Sequence, residues 1–243
     1  MNAMEIRGLR KVYKDVTAVE GLDLDVRQGE LLALLGVNGA GKTTTIKMLS
    51  CLTEPTAGDA LLLGCSICRE PARVKALLGV SPQETAIAPN LTVRENLEFM
   101  AGVHGLTGAE VRARTEEMFR TLGLEPVARR KAKTLSGGWQ RRLSIALALV
   151  SQPQILFLDE PTLGLDVLAR RELWKVVEGL KGRVTVILTT HYLEEAEALA
   201  DRIAVMAAGR LKALGTVEEL LAKTGCKNLE DAFVALAEGG AAQ

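Results

Sequence analysis

The sequence predicts an α/β fold: a buried, largely parallel sheet, an N-terminal antiparallel β-subdomain ahead of it and an α-helical subdomain inserted in its middle. Three features carry the prediction. Apolar runs of strand length, Leu31 to Leu35, Ile155 to Leu158, Val184 to Leu188 and Ile203 to Met206, alternate with longer amphipathic stretches, the pattern of strands covered by helices. Between the first and second of these runs, Thr92 to His104, Gly108 to Leu122 and Ser136 to Val150 read as consecutive helices with no strand between them. Before the first run, Met4 to Tyr13 and Gly21 to Arg27 read as antiparallel strands, and Arg27-Gln28-Gly29-Glu30 turns into the next strand.

Local chemistry fixes the element ends. Thr92 with Glu95, Thr107 with Glu110 and Thr216 with Glu219 have the spacing of a capping box, in which threonine and glutamate satisfy each other's backbone N–H groups at a helix start. Residues 1–223 are expected to form the main domain, with the helical subdomain spanning about 84–150 and a short helical tail at 224–243, whose Leu229, Phe233 and Leu236 share one apolar face.

Composition narrows the function. In 243 residues, 30 Lys and Arg balance 30 Asp and Glu, so no bulk field draws the chain to nucleic acid or an anionic bilayer, and no nucleic-acid partner is expected. The longest apolar runs fall short of the roughly 18 residues of a membrane-crossing helix. Met1 to Lys14 lacks the apolar core and cleavage site of a secretory signal, so a cytoplasmic location is expected. Cys65 and Cys68 form a lone C-x-x-C, half a zinc site, and together with Cys51 and Cys226 read as reduced thiols without a role.

Gly36-Val37-Asn38-Gly39-Ala40-Gly41-Lys42-Thr43 satisfies the G-x4-G-K-[ST] pattern in its proper context, after the Leu31 to Leu35 strand and before a helix starting near Gly41. The glycines let the backbone curl so that N–H groups converge on an anion at the positive end of the helix. Lys42 is expected to bind the β- and γ-phosphates, Thr43 to ligate Mg²⁺, and Asn38, Ala40 and Thr44 to complete the nucleotide loop, giving a P-loop NTPase core. Ile155 to Leu158 form a buried strand whose first charged residues, Asp159 and Glu160, emerge at the carboxyl end of the sheet, where open α/β folds bind ligands. Asp159 is expected to reach Mg²⁺, directly or through water, and Glu160 to polarise the attacking water.

With these motifs in order, the sequence resembles the ATPase subunit of an ATP-binding cassette (ABC) transporter over nearly all of residues 4–223. Leu135-Ser136-Gly137-Gly138 resembles the family's signature, with Trp139 where glutamine is usual. The resemblance implies that two cassettes pair head to tail, so that Ser136, Gly137 and Gly138 act in trans on ATP held by the partner's phosphate loop. It further implies that Tyr13 stacks on adenine, that Gln83 contacts Mg²⁺ and senses the membrane partner, that Asp166 lies in a loop crossing the dimer interface, and that His191 contacts the γ-phosphate. Leu91 to Leu97 and Asn228 to Phe233 look most like cassettes of drug, antibiotic and polymer exporters.

The expected function is thus an ATP-hydrolysing subunit, with ATP and Mg²⁺ as cofactors. Its partners are a second copy or a homologous cassette and integral-membrane permease subunits, which hold it at the cytoplasmic face of the membrane. An importer ATPase shares every catalytic motif and stays open as an alternative. A soluble cassette acting on ribosomes or DNA is a further alternative, disfavoured by the neutral charge and the absence of a second cassette. Arg94, Arg141 and Arg142 could serve where a membrane subunit docks, but are read first as solvated helix-surface charges. His104 is read as structural.

Overall fold

The computed structural model describes residues 1–238, so the last five residues of the expected 224–243 tail lie outside the described residues. β1 (Asn2–Tyr13) and β2 (Val16–Arg27) form a long antiparallel hairpin, followed by β3 (Leu31–Leu35), whose five residues are all buried. β2 begins five residues before the glycine expected to open it. Gly21 sits inside the strand at φ +63° next to a register shift, because a glycine in a strand pattern serves a bulge as readily as an end.

After α1 (Lys42–Leu49) come β4 (Ala57–Leu62), β5 (Cys65–Ser66), α2 (Pro71–Leu77) and β6 (Leu78–Ser81). The three expected middle helices are α3 (Val93–Val103), α4 (Gly108–Leu122) and α5 (Gly137–Leu149). Thr92 and Glu95 form the complete capping box at α3, and at α4 the Glu110 carboxylate accepts the Thr107 backbone N–H at 3.2 Å. The chain continues through β7 (Ile155–Asp159), α6 (Val167–Glu178), β8 (Thr185–Thr190), α7 (Leu193–Leu199), β9 (Arg202–Ala207), β10 (Arg210–Gly215), α8 (Val217–Thr224) and α9 (Leu229–Glu238).

Among the described residues the strands form two sheets, ordered β2-β1-β4-β5 and β10-β9-β3-β8-β7-β6. In the second sheet β6, β7, β8, β3 and β9 run parallel, and β10 closes one edge antiparallel to β9. Alternation along β7 shows how the core is divided. Leu156 and Leu158 face the helical layer with Phe119, Leu143 and Leu188, whereas Ile155 and Phe157 face the first sheet and α1 with Ile6, Leu34 and Ile46. A third cluster seats α9 through Leu229, Phe233 and Leu236 against Leu35 and Val205, the face the sequence predicted. Because β7 is apolar on both sides, its first acid appears only where the strand ends.

All four cysteines are free; Cys65 is buried in the second cluster and Cys68 is exposed. Partial burial and the Asp59 carboxylate push the Cys68 thiol up to about 11, which disfavours thiolate chemistry. Among the described residues no group of His, Cys, Asp and Glu could hold a metal ion by themselves. No helix among the described residues is long and apolar enough to cross a membrane.

Candidate functional site

The loop from Gly36 to Lys42 leaves the carboxyl end of β3 and enters α1, and two of its glycines are dictated by close approach. A Cβ on Gly36 would lie 2.5 Å from the Met206 carbonyl of β9. One on Gly41, whose φ is +99°, would lie 2.5 Å from the Ala18 carbonyl of β2. The loop is therefore clasped between the two sheets.

Beside it opens a cleft of about 610 Å³, lined by Asn38, Gly39, Ala40, Gly41, Lys42, Thr43, Thr44, Gln83, Glu160 and His191, together with Val16, Thr17, Ala18 and Leu163. A second cleft, of about 560 Å³, lies at the amino ends of the strands, lined by Gln28, Arg114, Gln152 and Arg183 among others. It contains none of the residues predicted for the site, whereas the first lies at the carboxyl ends of the strands, where open α/β folds bind ligands.

Charges converge in the first cleft. Lys42 Nζ donates to the Gly36 carbonyl at 2.7 Å and the Val37 carbonyl at 3.3 Å, and lies 3.5 Å from Glu160 Oε1. His191 Nδ1 is 3.3 Å from the same carboxylate oxygen. Lys42 is 5% exposed, Asp159 5% and Glu160 8%, so each charge acts in a poorly solvated setting. Asp159 Oδ1 accepts from Thr189 Oγ1 at 2.5 Å and from Thr43 Oγ1 at 3.3 Å. The Glu160 N–H is shared between the Thr189 carbonyl and hydroxyl at 3.1 and 3.0 Å, which holds this residue at φ +47°.

Such an arrangement offers a cation and the positive end of a helix to a polyanion, and a carboxylate to water beside it. Thr43 and Asp159 meet within hydrogen-bonding distance, and Gln83 lines the same cleft. All three supply oxygen donors, the set that fits a small hard dication such as Mg²⁺.

Other predicted residues lie elsewhere. Tyr13, 43% exposed, ends β1 and pairs with Val16 across the hairpin, but is not in the cleft lining. Ser136 is the exposed N-cap of α5 and its side chain makes no capping bond; Gly137 and Gly138 form the first turn. None of the three lines the cleft. The two glycines instead face Leu165 and Ala169, on either side of Asp166. A Cβ on Gly137 would meet Leu165 Cδ2 at 3.3 Å, and one on Gly138 would meet Ala169 Cβ at 3.1 Å. Asp166 caps α6 by accepting the Ala169 N–H at 2.9 Å.

Three arginines depart from the solvated reading. Arg141 is buried and donates to the carbonyls of Pro82 and Gln83, a correction that nothing local in the sequence signals. Arg94 pairs with Glu116 at 2.8 Å and lies over the Phe119 ring, and Arg142 pairs with Glu172 at 2.7 Å and lies over Trp139. Two residues behind the cleft also escaped the sequence. Thr189 supports both Asp159 and Glu160, and the only signal was the Thr-Thr-His run closing its strand. Glu195, wholly buried on α7, accepts from Trp174 Nε1 at 3.1 Å, and burial holds its carboxyl above the ordinary range.

A phosphate loop on a parallel sheet, with two acids at the end of a buried strand two places away, defines a phosphate-loop nucleotide-binding ATPase. The sequence pattern of the family described as ABC transporter matches residues 19–163. The chain is 43% identical over 239 residues to the daunorubicin resistance ATP-binding protein DrrA3 of Streptomyces coeruleorubidus, a match covering 98% of this chain and 75% of that one. Among solved structures it superposes on an ATP-binding subunit of an ABC transporter with TM-score 0.85 and 30% identity, covering 96% of this chain and 99% of that one. A dimeric post-hydrolysis state of the ATP-binding cassette MJ0796, bound to ADP and Pi, matches with TM-score 0.79 and 27% identity over 88% of this chain and 98% of that one. The chain belongs to the ABC transporter family, as its ATP-binding ATPase cassette.

Proposed function

We propose that this cassette energises export through separate transmembrane subunits, by closing head to tail on a second cassette around ATP and reopening after hydrolysis. One observation carries the reading: the Lys42, Glu160 and His191 cradle and the exposed Ser136 helix end are different surfaces of the same chain, and the second does not line the first. A single copy holds two unlike halves of a site, which a head-to-tail pair would join twice.

In that pair, Asn38 to Thr44 cradle the phosphates, and Lys42 leaves the Gly36 and Val37 carbonyls to reach the β- and γ-phosphates. Thr43, Asp159 and Gln83 would hold Mg²⁺, which when bound neutralises charge on the transferring phosphoryl group. Glu160, released from Lys42, orients and polarises the attacking water, and His191 beside it meets the γ-phosphate. Tyr13, paired across the hairpin with the cleft-lining Val16, would serve as the adenine platform. Ser136 and the N–H groups of Gly137 and Gly138 close over the partner's nucleotide, with Asp166 at the seam. ATP then bridges the two copies, and loss of its terminal phosphate removes the bridge.

The transporter reading is supported by a groove of about 210 Å³ between β6, α3 and α5, lined by Leu78, Val80, Pro82, Met100, His104 and Leu147. The apolar Phe99 and Val103 are exposed on α3 beside it. It borders the Gln83 segment, so a permease segment seated there would touch the nucleotide site through one loop. The drug-resistance name of DrrA3 favours export over import. The test is to purify the chain from native membranes in detergent alongside a Met100→Glu variant. A protein with spanning helices that accompanies the wild type and is lost with the variant is the expected result; no such partner with either would remove the transporter role.

A further inference from the structure

The helix carrying the signature residues is fastened lengthwise to the strand that delivers Gln83. At the far end, Gly79 of β6 passes so close to α5 that a Cβ there would sit 2.2 Å from the Ala148 carbonyl. One turn nearer the start of the helix, Ser144 and Ser81 share a buried hydrogen bond of 2.9 Å. A turn further, Arg141 Nη1 donates to the Pro82 carbonyl at 2.6 Å and Nη2 to the Gln83 carbonyl at 2.7 Å. Positions 141, 144 and 148 recur at helical spacing, so one face of α5 makes all three contacts.

The last of these contacts differs in kind. β6 ends at Ser81, and the Pro82 and Gln83 carbonyls lie beyond the sheet, where the Arg141 guanidinium is their donor. Arg141 is 5% exposed, and among the described residues no carboxylate forms an ion pair with it. Its planar fork spans two successive carbonyls, a geometry that neither lysine nor glutamine reproduces. Five residues of helix, about 7.5 Å along the axis, separate this grip from Ser136.

We propose that Arg141 is a positioning residue that clamps the backbone of the Gln83 turn to the signature helix, so that Gln83 and Ser136 move as one body. The inference rests on the roles given to Gln83 and Ser136 above, and it says how occupancy of one half-site is felt at the other within a single chain. A helix pinned only through Ser144 would leave the turn free to move alone.

The experiment is a double-mutant cycle on the full-length chain with Gln83→Ala, Arg141→Met and the pair, read by ATPase kinetics with Mg-ATP and by amide hydrogen exchange at residues 82–88 and 137–140 without nucleotide. Gln83→Ala and Arg141→Met are each expected to lower kcat about tenfold with KM for ATP little changed, and the pair to be no worse than either alone, a coupling of about 1.4 kcal/mol. Exchange is expected to rise at both segments together, and Arg141→Lys, which keeps the charge and one bond, to fall between. Additive losses in the cycle, or faster exchange confined to one segment, would overturn the clamp. Should Gln83→Ala leave kcat and Mg²⁺ dependence untouched, the role of Gln83 falls, and the exchange data still decide the clamp. Should Arg141→Met fail to fold, the same cycle with Arg141→Lys decides it on the same terms.

Discussion

The two surfaces that the proposed function assigns to nucleotide are built in opposite ways. In the cleft, Lys42 is answered by loop carbonyls and by Glu160, Asp159 by two threonine hydroxyls, and every charge is more than nine-tenths buried. At the start of α5, Ser136 and Gly137 are exposed, the serine side chain caps nothing, and the first-turn N–H groups follow two glycines that leave them uncovered. To bind a polyanion in the cleft, Lys42 must exchange its carbonyl and carboxylate partners. The helix end carries first-turn N–H groups that have no intrahelical acceptor. In the proposed pair a polyanion bound in the cleft would supply what the partner's helix end lacks, and nucleotide would be the complement between the two surfaces.

Removing the cation from the cleft is expected to have the largest effect on binding. Lys42→Ala deletes one or two charge-assisted hydrogen bonds to phosphate, each worth about 1.5–3 kcal/mol, so ATP affinity should fall by at least roughly tenfold. Titration with a fluorescent ATP analogue measures this, and wild-type affinity would detach Lys42 from the phosphates. Ser136→Arg acts on the other surface: it should leave the affinity of a single copy intact and abolish most ATPase activity. The comparison sharpens when the two variants are mixed, because one of the two sites in a mixed pair then combines an intact loop with an intact helix end. Activity above the sum of the separate variants is expected, and activity equal to that sum would argue that both surfaces act within one copy.

The smallest effect tests the support behind the cleft. Glu195 is buried with its pKa held above the ordinary 4.5 of glutamate, so the folded chain binds that proton more tightly than the unfolded one. Its contribution to stability is complete below pH 4.5 and is lost as the pH rises through the raised value. Glu195→Gln removes this dependence. The melting temperature of the variant relative to wild type should therefore climb as the pH rises above about 4.5, whereas a constant difference would mean that the carboxyl is not neutralised by folding.

What could be read in the sequence follows the range of the interactions involved. The capping boxes at Thr92 and Thr216 and the buried strand ending in Asp159 depend on neighbours three or four residues away, and the structure carries them within a residue. The phosphate loop was legible because its glycines and Lys42 lie in one contiguous motif, although the need for Gly36 and Gly41 comes from Met206 and Ala18, far along the chain. The start of β2 was missed because Gly21 looks the same in sequence whether it ends a strand or bulges it. Arg141 was misread because its partners lie 59 and 58 residues away, and its neighbour Arg142, equally charged, does reach an exposed acid on α6. The separation of Ser136 from the cleft is a property of the folded surface, which adjacency in sequence does not encode.

The central claim, that nucleotide joins two copies and that hydrolysis parts them, is tested most directly by the mass of the Glu160→Gln protein in solution. Without its water-polarising carboxylate the chain should bind ATP and hydrolyse it about 10²- to 10⁴-fold more slowly. Light scattering of this variant saturated with Mg-ATP is predicted to give twice the 26.1 kDa chain mass, reverting to a single chain with ADP. A single-chain mass in saturating Mg-ATP, with its membrane partner present as well as without it, would contradict the account.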